Sequence, residues 1–460
     1  MNRARIVIAG VSSGTGKTSV STGLSCAFAQ KGLKVQAYKV GPDYLDPQLL
    51  TQASGRTCFN LDSWMTDKAY IRSLYEEASQ NADISIIEGV MGLFDGADAT
   101  SISGSTAEIA QLLSAPVILV VNAHGMGGSF AAIVKGYAEF HPDVRIAGVI
   151  ANQCGSPRHV TILTEALAAA GLPPLVGAIP RDALPRIPDR HLGLVTPEQD
   201  GFPSDIFVGL ADAITEHVDL DAIMDVAKSA SALPSDRRAP LRRNSDPVVR
   251  IGIAQDKAFS FYYPDNLLLL EQNAAALVPF SPLVASELPP DLDALYIGGG
   301  YPELYAEQLS ANETMLRAVH DFADSGGAIY AECGGLMYLS ESLTTKGNDS
   351  FAMAGVLPVT TVMLTKLRRL GYAEVRLLHD SILGPKETVL RGHEFHYSDL
   401  HTSAGMNDVW QMPYSARNRS GRETDQGFLK GNILASYVHL HFGSNPDAVS
   451  FFIQHIHRGS

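Results

Sequence analysis

The chain has 460 residues, of which 45% are apolar and 18% are charged, and its formal net charge is −14. A single hydrophobic core rarely extends beyond about 250–300 residues, so this length predicts two domains. The acidic excess argues against a broad role on nucleic acids or anionic membranes, because both require a positive surface field. We therefore expect neither a nucleic-acid partner nor a membrane partner.

The cysteine pattern and the N-terminus predict a cytoplasmic protein with reduced thiols. Cys26, Cys58, Cys154 and Cys333 are widely spaced and form no C-x-x-C pair, which favours neither a disulfide framework nor a zinc site. The first residues run into a strand pattern without a signal segment, and no apolar run reaches the ~18 residues of a membrane-spanning helix.

Residues 6–18, IVIAGVSSGTGKT, join an apolar strand to a glycine-rich turn and a helix-like segment. Such a turn directs backbone N–H groups at phosphates, adds a lysine charge and offers a hydroxyl to Mg²⁺. Val11 stands where the usual pattern has glycine, and an ordinary Gly/Ser turn is the alternative. The strand before and the helix after favour an ATP site formed by Ser13, Gly14, Thr15, Gly16, Lys17 and Thr18.

Strands and helical segments alternate through the rest of the first half, which predicts a parallel sheet covered on both faces. Ligands bind beyond the carboxyl ends of such strands, where Lys39, Asp43, Asp46, Glu88, Asp95 and Asn152 are expected. Mg²⁺ prefers hard oxygen ligands, so Thr18, Asp43 and Glu88 are the candidate metal ligands. For any one of these acids, the alternative is a solvated loop or a helix cap.

A Ser, Pro and Arg-rich stretch, residues 229–247, is typical of a linker and separates predicted domains at 1–228 and 248–460. After it, VVRIGIA at 248–254 restarts a strand pattern, and LLLLEQNAAAL at 267–277 predicts a helix. Tyr262 in FYYPDN could stack on a planar ligand or belong to the core, and the sequence leaves both open.

Residues 326–340, GGAIYAECGGLMYLS, predict a nucleophile elbow around Cys333. A β-branched run ends in Glu332, Cys333 and two glycines and then becomes helix-like, a turn that exposes the nucleophile and aims backbone N–H groups at an oxyanion. The helix N-terminus should favour the thiolate. Gly334, together with Gly300 of the GGGYPEL segment, is a candidate oxyanion donor, although a glycine run is also a plain turn signal. A buried structural thiol is the alternative for Cys333.

A general base is expected in ILASYVHLHFGSNP, which places His439 at the end of a late strand and His441 two residues further on. Residues at this spacing face the same side of a strand, so periodicity does not choose between them.

The strings VSSGTGKTSV, KVGPDYLDP and EGVMGLFDG resemble those of the cobyrinic acid a,c-diamide synthases, in the dethiobiotin-synthetase-like branch of P-loop proteins. The similarity covers essentially the whole chain. It implies a P-loop domain followed by a class I glutamine amidotransferase-like α/β domain, which couple ATP and Mg²⁺ to amidation of corrin carboxylates with glutamine as nitrogen donor. Small-molecule substrates are therefore expected, namely a corrinoid polycarboxylate, L-glutamine and ATP, and a homodimer is left open.

The resemblance also suggests residue roles. It favours His439 as the base and places Asn152 near the adenine. Lys39 and Asp95 are expected to position phosphate and substrate, and Asp95 is counted among the catalytic residues. The corrinoid contacts that the resemblance suggests are Tyr44, Asp46, Tyr262, His393 and His396.

The chain departs from the wider amidotransferase pattern. Ala331 stands where a glycine often precedes the nucleophile by two, and no Glu follows His439 by two. Cobyrinate-type amidotransferases resemble this chain in lacking that acid, so what orients the histidine is open. Cobyric acid synthase and Ni-sirohydrochlorin a,c-diamide synthase are alternatives within the same chemistry. Partitioning and septum-site ATPases are a different class, but their loop carries a lysine where this chain has Ser12.

Overall fold

The computed structural model describes residues 3–187, 202–233, 248–402 and 409–459. The chain divides into two compact units, Met1–Pro240 and Leu241–Ser460. Residues 234–247 of the predicted linker lie outside the described residues, so the linker and its domain boundaries stay predictions. Within the described residues, no helix has both the length and the apolarity to cross a membrane.

The first unit is built on one parallel sheet, as predicted. Its strands are β1 (Arg5–Gly10), β2 (Val35–Val40), β3 (Phe59–Leu61), β4 (Ile84–Glu88), β5 (Val117–Asn122), β6 (Ile146–Cys154) and β7 (Leu175–Pro180). They lie in the order β3-β2-β4-β1-β5-β6-β7, and all neighbours are parallel. The central strands β1 and β4 are buried along their whole length, because their apolar residues face helices on both sides.

Helices complete the first unit. They are α1 (Lys17–Gln30), α2 (Leu45–Ser54), α3 (Lys68–Ala78), α4 (Thr106–Leu112), α5 (Gly128–Phe140), α6 (Pro157–Ala169), α7 (Ser204–His217) and α8 (Leu220–Lys228). The helix α1 lies close to α7, since a Cβ added at Gly23 would come within 2.5 Å of the Ile214 side chain. This packing fixes the helix that follows the phosphate loop.

The second unit also has a mostly parallel central sheet. Its strands begin with β8 (Val249–Ala254), β9 (Phe259–Phe261), β10 (Ala275–Phe280), β11 (Ala294–Ile297), β12 (Gly299–Gly300) and β13 (Ala328–Glu332). The later strands β22 (Phe428–Lys430) and β23 (Ile433–Ser436) complete the order β10-β8-β11-β13-β23-β22. Only the β22–β23 pair of this sheet is antiparallel within the described residues.

Smaller sheets are added to this centre. They use β14 (Ser342–Thr344), β15 (Ser350–Ala352), β16 (Val359–Met363), β17 (Arg369–Leu377), β18 (Val389–His396), β19 (Ser398–Thr402), β20 (Tyr414–Asn418), β21 (Glu423–Gln426) and β24 (Val438–His441). One sheet has the order β15-β14-β16-β19, another β21-β20-β17-β18-β24, and β12 pairs with β9. The helices are α9 (Pro264–Gln272), α10 (Ala306–Ala311), α11 (Glu313–Asp324), α12 (Gly334–Leu339) and α13 (Pro446–Gly459), with 3₁₀ turns at Pro302–Leu304 and Phe442–Ser444.

Two local predictions for the second half are wrong. The helix predicted over 267–277 ends at Gln272, because Asn273 donates its side-chain amide to the Leu269 carbonyl at 2.9 Å and Ala274 has φ 69°. The alanines that follow pair with β8 instead. The single late strand predicted before His439 is broken at Tyr437, so β23 belongs to the central sheet and β24 pairs with β18.

The close approach of α12 to β11 gives a stability prediction. A Cβ added at Gly335 would overlap the carbonyl oxygen of Ile297, and backbone cannot move aside as a flexible side chain can. We expect Gly335→Ala to destabilise the second unit by about 1–3 kcal/mol, the usual cost of overpacking. Urea unfolding followed by tryptophan fluorescence and circular dichroism measures this change.

Gly136→Ala is the matched control, because Gly136 is an exposed helical glycine with no neighbouring atom within 4 Å of an added Cβ. Alanine is a better helix former by about 1 kcal/mol, so this variant should be as stable as the parent or more so. Equal stability of Gly335→Ala and the parent would contradict the packing of α12 on β11.

Candidate functional site

The phosphate loop lies between β1 and α1, at the carboxyl edge of the first sheet. Gly14 and Gly16 have φ values of 77° and 97°, a left-handed conformation that favours glycine. Lys17 donates its ammonium group to the Ser12 carbonyl at 3.0 Å and to the Met91 carbonyl at 2.6 Å. Burial lowers the pKa of Lys17. The ligand-free loop therefore holds its lysine against backbone oxygens that phosphate oxygens could replace.

Asn152 supports this loop from the end of β6. Its side-chain amide donates to the Thr15 carbonyl at 2.9 Å, and a Cβ at Gly16 would overlap the same amide group. The contact of Asn152 with the adenine, which the family resemblance implied, stays a prediction. The described contact shows Asn152 bracing the loop backbone.

A buried charge cluster lies beside the loop. Lys39 pairs with Asp46 at 2.6 Å and with Glu88 at 2.8 Å, and the Thr18 hydroxyl donates to Glu88 at 2.7 Å. Burial raises the pKa of Glu88 to about 7. Burial alone would lower the pKa of Lys39, but the carboxylates of Asp46 and Glu88 outweigh it and raise that pKa. The sequence predicted these groups at one sheet edge, and the structure brings them together.

The donor set fits a magnesium ion at Glu88 and Thr18. Glu88 is fully buried, and its Oε2 atom accepts no hydrogen bond from the described part of the chain. A buried carboxylate oxygen of this kind is costly unless a cation or donor reaches it. Asp43 accepts instead from the Leu45 N–H at 2.8 Å, at the start of α2, which matches the helix-cap alternative. Its role as a metal ligand stays a prediction.

The segment after β4 brings Asp95 to the phosphate loop. Leu93 donates its N–H to the Gly10 carbonyl at 2.9 Å, and Asp95 accepts from the Gly92 N–H at 2.8 Å. Asp95 is exposed, and Tyr44 at the start of α2 is half-buried. Both lie at the sheet edge where the sequence placed them, and their contacts with substrate stay predictions.

Cys333 forms the sharp turn between β13 and α12. Its φ of 48° and ψ of −99° are strained for a residue with a side chain, and its N–H donates to the Ser436 carbonyl at 2.8 Å. Its Sγ lies 3.7 Å from the Phe395 carbonyl oxygen. Burial raises the pKa of the Cys333 thiol, and nearby Glu303 adds to this effect. The thiolate expected at a helix N-terminus is therefore not favoured in the ligand-free state, because desolvation outweighs the N–H groups of this six-residue helix.

Glycines bring the candidate base and the oxyanion groups to this turn. A Cβ at Gly299 would overlap Cε1 of His439, and a Cβ at Gly334 would lie 3.0 Å from the Gly300 nitrogen. The Gly300 φ of 157° allows its own close approach to Ala258. The Cys333 turn, the glycine segment and β24 thus meet at one place, as the nucleophile-elbow pattern predicts.

The surroundings of the two candidate histidines differ. His441 Nε2 lies 3.1 Å from an Asp265 oxygen, and its Nδ1 accepts from the Gly443 N–H at 3.1 Å, which is the bonding of a structural residue. His439 lies against Gly299 at the nucleophile turn. Burial lowers the pKa of His439 to about 3, so the imidazole is neutral and able to accept a proton. These contacts favour His439.

Glu332, directly before the nucleophile, was missed in the sequence analysis. Its carboxylate lies 3.9 Å from His439 Nδ1 and accepts from the Leu440 N–H at 2.8 Å. An ionisable residue at the end of an otherwise apolar buried strand was the signal that could have found it.

Two of the suggested corrinoid contacts lie on β18. His396 hydrogen-bonds with Glu394 at 3.1 Å and with the Ser398 carbonyl at 2.9 Å, and its ring stacks on Tyr437 at 3.8 Å. His393 lies edge-on to Tyr372, and burial lowers its pKa to about 4. Their contact with a corrinoid stays a prediction.

Tyr262 has the contacts of a core residue, one of the alternatives that the sequence left open. Its hydroxyl donates to the Ala254 carbonyl at 2.5 Å and accepts from the Gly298 N–H at 2.8 Å. Tyr262 therefore holds the backbone of the glycine segment at Gly298. The neighbours of Tyr262 give no support to a contact with a corrinoid.

A cavity of about 440 Å³ lies in the second unit beside the nucleophile helix. Leu336 of α12 lines it, together with charged groups of both signs. Within its wall, Arg369 pairs with Glu394 at 3.1 Å. The charged and polar lining residues are Arg368, Arg369, Glu394, His396, Asp399, Thr402, Arg422, Thr424, Gln426 and Tyr437. Such a lining suits a small zwitterion that carries a carboxylate and an ammonium group.

Comparison with known proteins agrees with this division of sites. Residues 6–195 match the CobQ/CobB/MinD/ParA nucleotide binding domain, and residues 250–447 match the CobB/CobQ-like glutamine amidotransferase domain. The first match includes partitioning-type ATPases, so it does not choose between the two classes weighed from the sequence. The second match adds the amidotransferase half that the resemblance implied.

Curated relatives match across both units. A cobyrinate a,c-diamide synthase of Syntrophotalea carbinolica is 53% identical over 456 residues, which cover 98% of each chain. One from Dehalococcoides mccartyi strain CBDB1 is 46% identical over 99% of this chain and 98% of the relative. One from Listeria monocytogenes serovar 1/2a is 41% identical over 99% of this chain and all of the relative. The chain belongs to the cobyrinate a,c-diamide synthase family.

Proposed function

We propose that this protein uses ATP and glutamine to amidate the a- and c-acetate carboxylates of cobyrinic or hydrogenobyrinic acid. The observation that carries the proposal is the presence, in one chain, of a phosphate loop and a Cys333 turn packed on the glycine segment that also contacts His439. The chain is 53% identical to a cobyrinate a,c-diamide synthase. A partitioning ATPase has no use for the second of these sites.

In the first unit, a carboxylate would be activated before it meets nitrogen. The acetate oxygen attacks the γ-phosphorus of ATP, ADP leaves, and the product is an acyl phosphate. Lys17 would leave the Ser12 and Met91 carbonyls and bind phosphate oxygens, which spreads the developing charge. Lys39 and Asp95 would position the phosphate and the acetate. Ammonia then attacks the acyl carbon, and phosphate leaves.

Magnesium is proposed as the cofactor at Thr18 and Glu88, with Asp43 as a further ligand. A bound Mg²⁺ would supply charge neutralisation for the phosphate oxygens. The chain's own part is to keep an oxygen-rich pocket dry, and Lys39 compensates Glu88 there at 2.8 Å. Thr18 lies at the start of α1, where its hydroxyl can turn from Glu88 toward a cation.

In the second unit, Cys333 would attack the side-chain amide of glutamine. The Sγ–carbon bond forms, His439 takes the thiol proton and passes it to the leaving nitrogen, and ammonia departs. Water then hydrolyses the thioester to glutamate, again with His439 as base. The N–H groups of Gly300 and Gly334 would stabilise the oxyanion. Gly334 follows Cys333 in the chain, and a Cβ at Gly334 would lie 3.0 Å from the Gly300 nitrogen, which supports this assignment.

The charged cavity beside α12 is the proposed glutamine pocket. Its cations, Arg369 and Arg422, would bind the α-carboxylate, and Glu394 would bind the α-ammonium group. The Phe395 carbonyl, 3.7 Å from Cys333 Sγ, joins the cavity strand to the nucleophile. The glutamine side chain would therefore extend from the charged wall toward the thiol.

The choice of macrocyclic substrate distinguishes the proposed activity from those of cobyric acid synthase and Ni-sirohydrochlorin a,c-diamide synthase. Incubation with ATP, glutamine and cobyrinic acid, hydrogenobyrinic acid or Ni-sirohydrochlorin should be followed by mass spectrometry. Two amidations of a cobyrinate-type acid support the proposal. Reaction only at other side chains would indicate a cobyric acid synthase activity, and reaction only with the nickel macrocycle would indicate the sirohydrochlorin enzyme. A cytoplasmic location and a homodimer stay predictions.

Replacing the nucleophile should separate the two half-reactions. We expect Cys333→Ala to lower glutamine-dependent amidation by at least about 10³-fold, because the thioester cannot form. Amidation supported by ammonium chloride should stay near the parental rate, since no step in the first unit uses the thiol. Product mass and ADP release measure both rates.

Cys26→Ala is the control for this experiment, because Cys26 is also buried with a raised thiol pKa but lies in α1 of the other unit. It should keep both activities. Loss of ammonia-dependent amidation in folded Cys333→Ala would reject the division of roles.

Replacing Lys17 of the phosphate loop should impair amidation and spare glutamine hydrolysis, the reverse of the result expected for Cys333→Ala. Lys17→Met should lower amidation with either nitrogen source by at least about 100-fold, because it removes a cation that binds transition-state charge. Glutamine hydrolysis by Cys333 should persist in this variant. The exposed Lys31→Met at the other end of α1 is the control. Unchanged amidation by folded Lys17→Met would contradict the proposed phosphate site.

A further inference from the structure

The residue before the nucleophile has contacts that point to a second role. Glu332 is 2% exposed, and its carboxylate accepts from the Tyr330 hydroxyl at 2.5 Å and the Tyr296 hydroxyl at 2.9 Å. It also accepts from the Leu440 N–H at 2.8 Å. A strand inside a parallel sheet normally carries apolar residues on both faces, so burying a carboxyl here costs free energy that packing alone does not explain.

We propose that Glu332 is the positioning residue of His439, and that it takes the place of the acid that other class I amidotransferases carry after the histidine. This inference rests on the proposed glutaminase function. Its two parts are a fixed backbone at Leu440, the residue after the histidine, and a negative charge 3.9 Å from His439 Nδ1.

The distance decides what each contact contributes. At 3.9 Å the carboxylate and Nδ1 are too far apart for a hydrogen bond in the ligand-free state but close enough for a strong charge interaction in a dry site. The Leu440 contact at 2.8 Å is a true hydrogen bond that holds β24 in place. Glu332 thus orients the strand at all times and acts on the imidazole when it becomes charged.

The charge matters because both reacting groups are neutral at rest. Burial raises the pKa of Cys333 and lowers the pKa of His439 to about 3. Proton transfer from thiol to imidazole creates a thiolate and an imidazolium, and the imidazolium needs a nearby anion. Glu332 is the carboxylate placed beside His439, 3.9 Å from Nδ1, whereas Asp265 lies beside His441 at 3.1 Å.

Other ionisable groups near Cys333 and His439 also affect which protonation state each of them adopts. Glu303, Glu394 and, most weakly, Glu332 itself oppose the thiolate. His393 and His396 oppose the imidazolium when they are charged. His441 favours the ionised form of Glu332, and the tyrosines that donate to it are Tyr296 and Tyr330. An isosteric amide at position 332 leaves all of these groups in the chain and removes the charge, together with one of the two acceptor oxygens.

The test is Glu332→Gln in the full-length protein, which keeps the shape and one oxygen acceptor but removes the charge. We expect kcat for glutamine hydrolysis to fall at least about tenfold, the equivalent of one pKa unit, with KM for glutamine unchanged because Glu332 does not line the charged cavity. Ammonia-dependent amidation should keep its parental rate.

A pH profile separates positioning from structural support. The rate of Cys333 alkylation by iodoacetamide, followed by mass spectrometry of its peptide, should need a higher pH in Glu332→Gln. Two effects oppose each other, since Glu332 also disfavours the thiolate, but more weakly than Glu303 and Glu394 do. The sign follows because loss of the anion 3.9 Å from Nδ1 destabilises the imidazolium by more than it favours the thiolate. A shift of about one pH unit corresponds to the tenfold loss in rate.

Asp265→Asn is the matched control, since it removes a buried carboxylate from His441, two residues along the same strand. It should lower stability without moving the alkylation profile. Tyr296→Phe is the second test variant, because it removes one donor to Glu332, raises the pKa of that carboxyl and should give a smaller alkaline shift.

The outcomes separate the two proposals. An unchanged kcat and alkylation profile in folded Glu332→Gln, or in Tyr296→Phe if the former does not fold, overturns the positioning role. Retention of glutaminase activity by Cys333→Ala would instead overturn the proposed function on which it rests. An equal profile shift in Asp265→Asn would assign the effect to general loss of buried charge and would likewise overturn the proposal.

Discussion

No Cβ fits between the nucleophile turn and the backbone around it. Gly299 lies against the His439 ring, Gly334 lies against Gly300, and Gly335 lies against the Ile297 carbonyl. The strained Cys333 conformation is held in place by these neighbours, because a turn at φ 48° persists only where its surroundings leave no alternative. The proposed nucleophile, base and oxyanion donors therefore share one rigid frame, and the proposed catalysis depends on that precision of placement.

Both units hold a buried acid at their candidate site. In the first unit Glu88 lies beside Lys39 and Thr18, and in the second unit Glu332 lies beside His439. Burial raises the pKa of each acid to about 7, which means that each is poised to respond to a new positive charge. A cation at the first site, or an imidazolium at the second, favours the ionised carboxylate.

Much of this arrangement could be predicted from local patterns. The phosphate loop and the Cys333 elbow are each read from an apolar strand, a glycine turn and a helix, and these signals lie within about 15 residues. The helix end at Asn273 was missed because an alanine run favours helix when the sheet partner is unknown. The choice of His439 over His441 came from resemblance, since the distinguishing neighbours Asp265 and Gly299 are distant in sequence.

The contact of Glu332 with His439 shows why the rest could not be predicted. It depends on β13 pairing with β23, on the break of the chain at Tyr437, and on β24 pairing with β18 in a different sheet. Only this break brings the Leu440 N–H back over the end of β13, where Glu332 accepts it. The short strand β24 turns away from the central sheet, and this turn leaves His439 beside Glu332. In the proposed mechanism the adjacent residues Glu332 and Cys333 then supply the stabilising charge and the attacking sulfur.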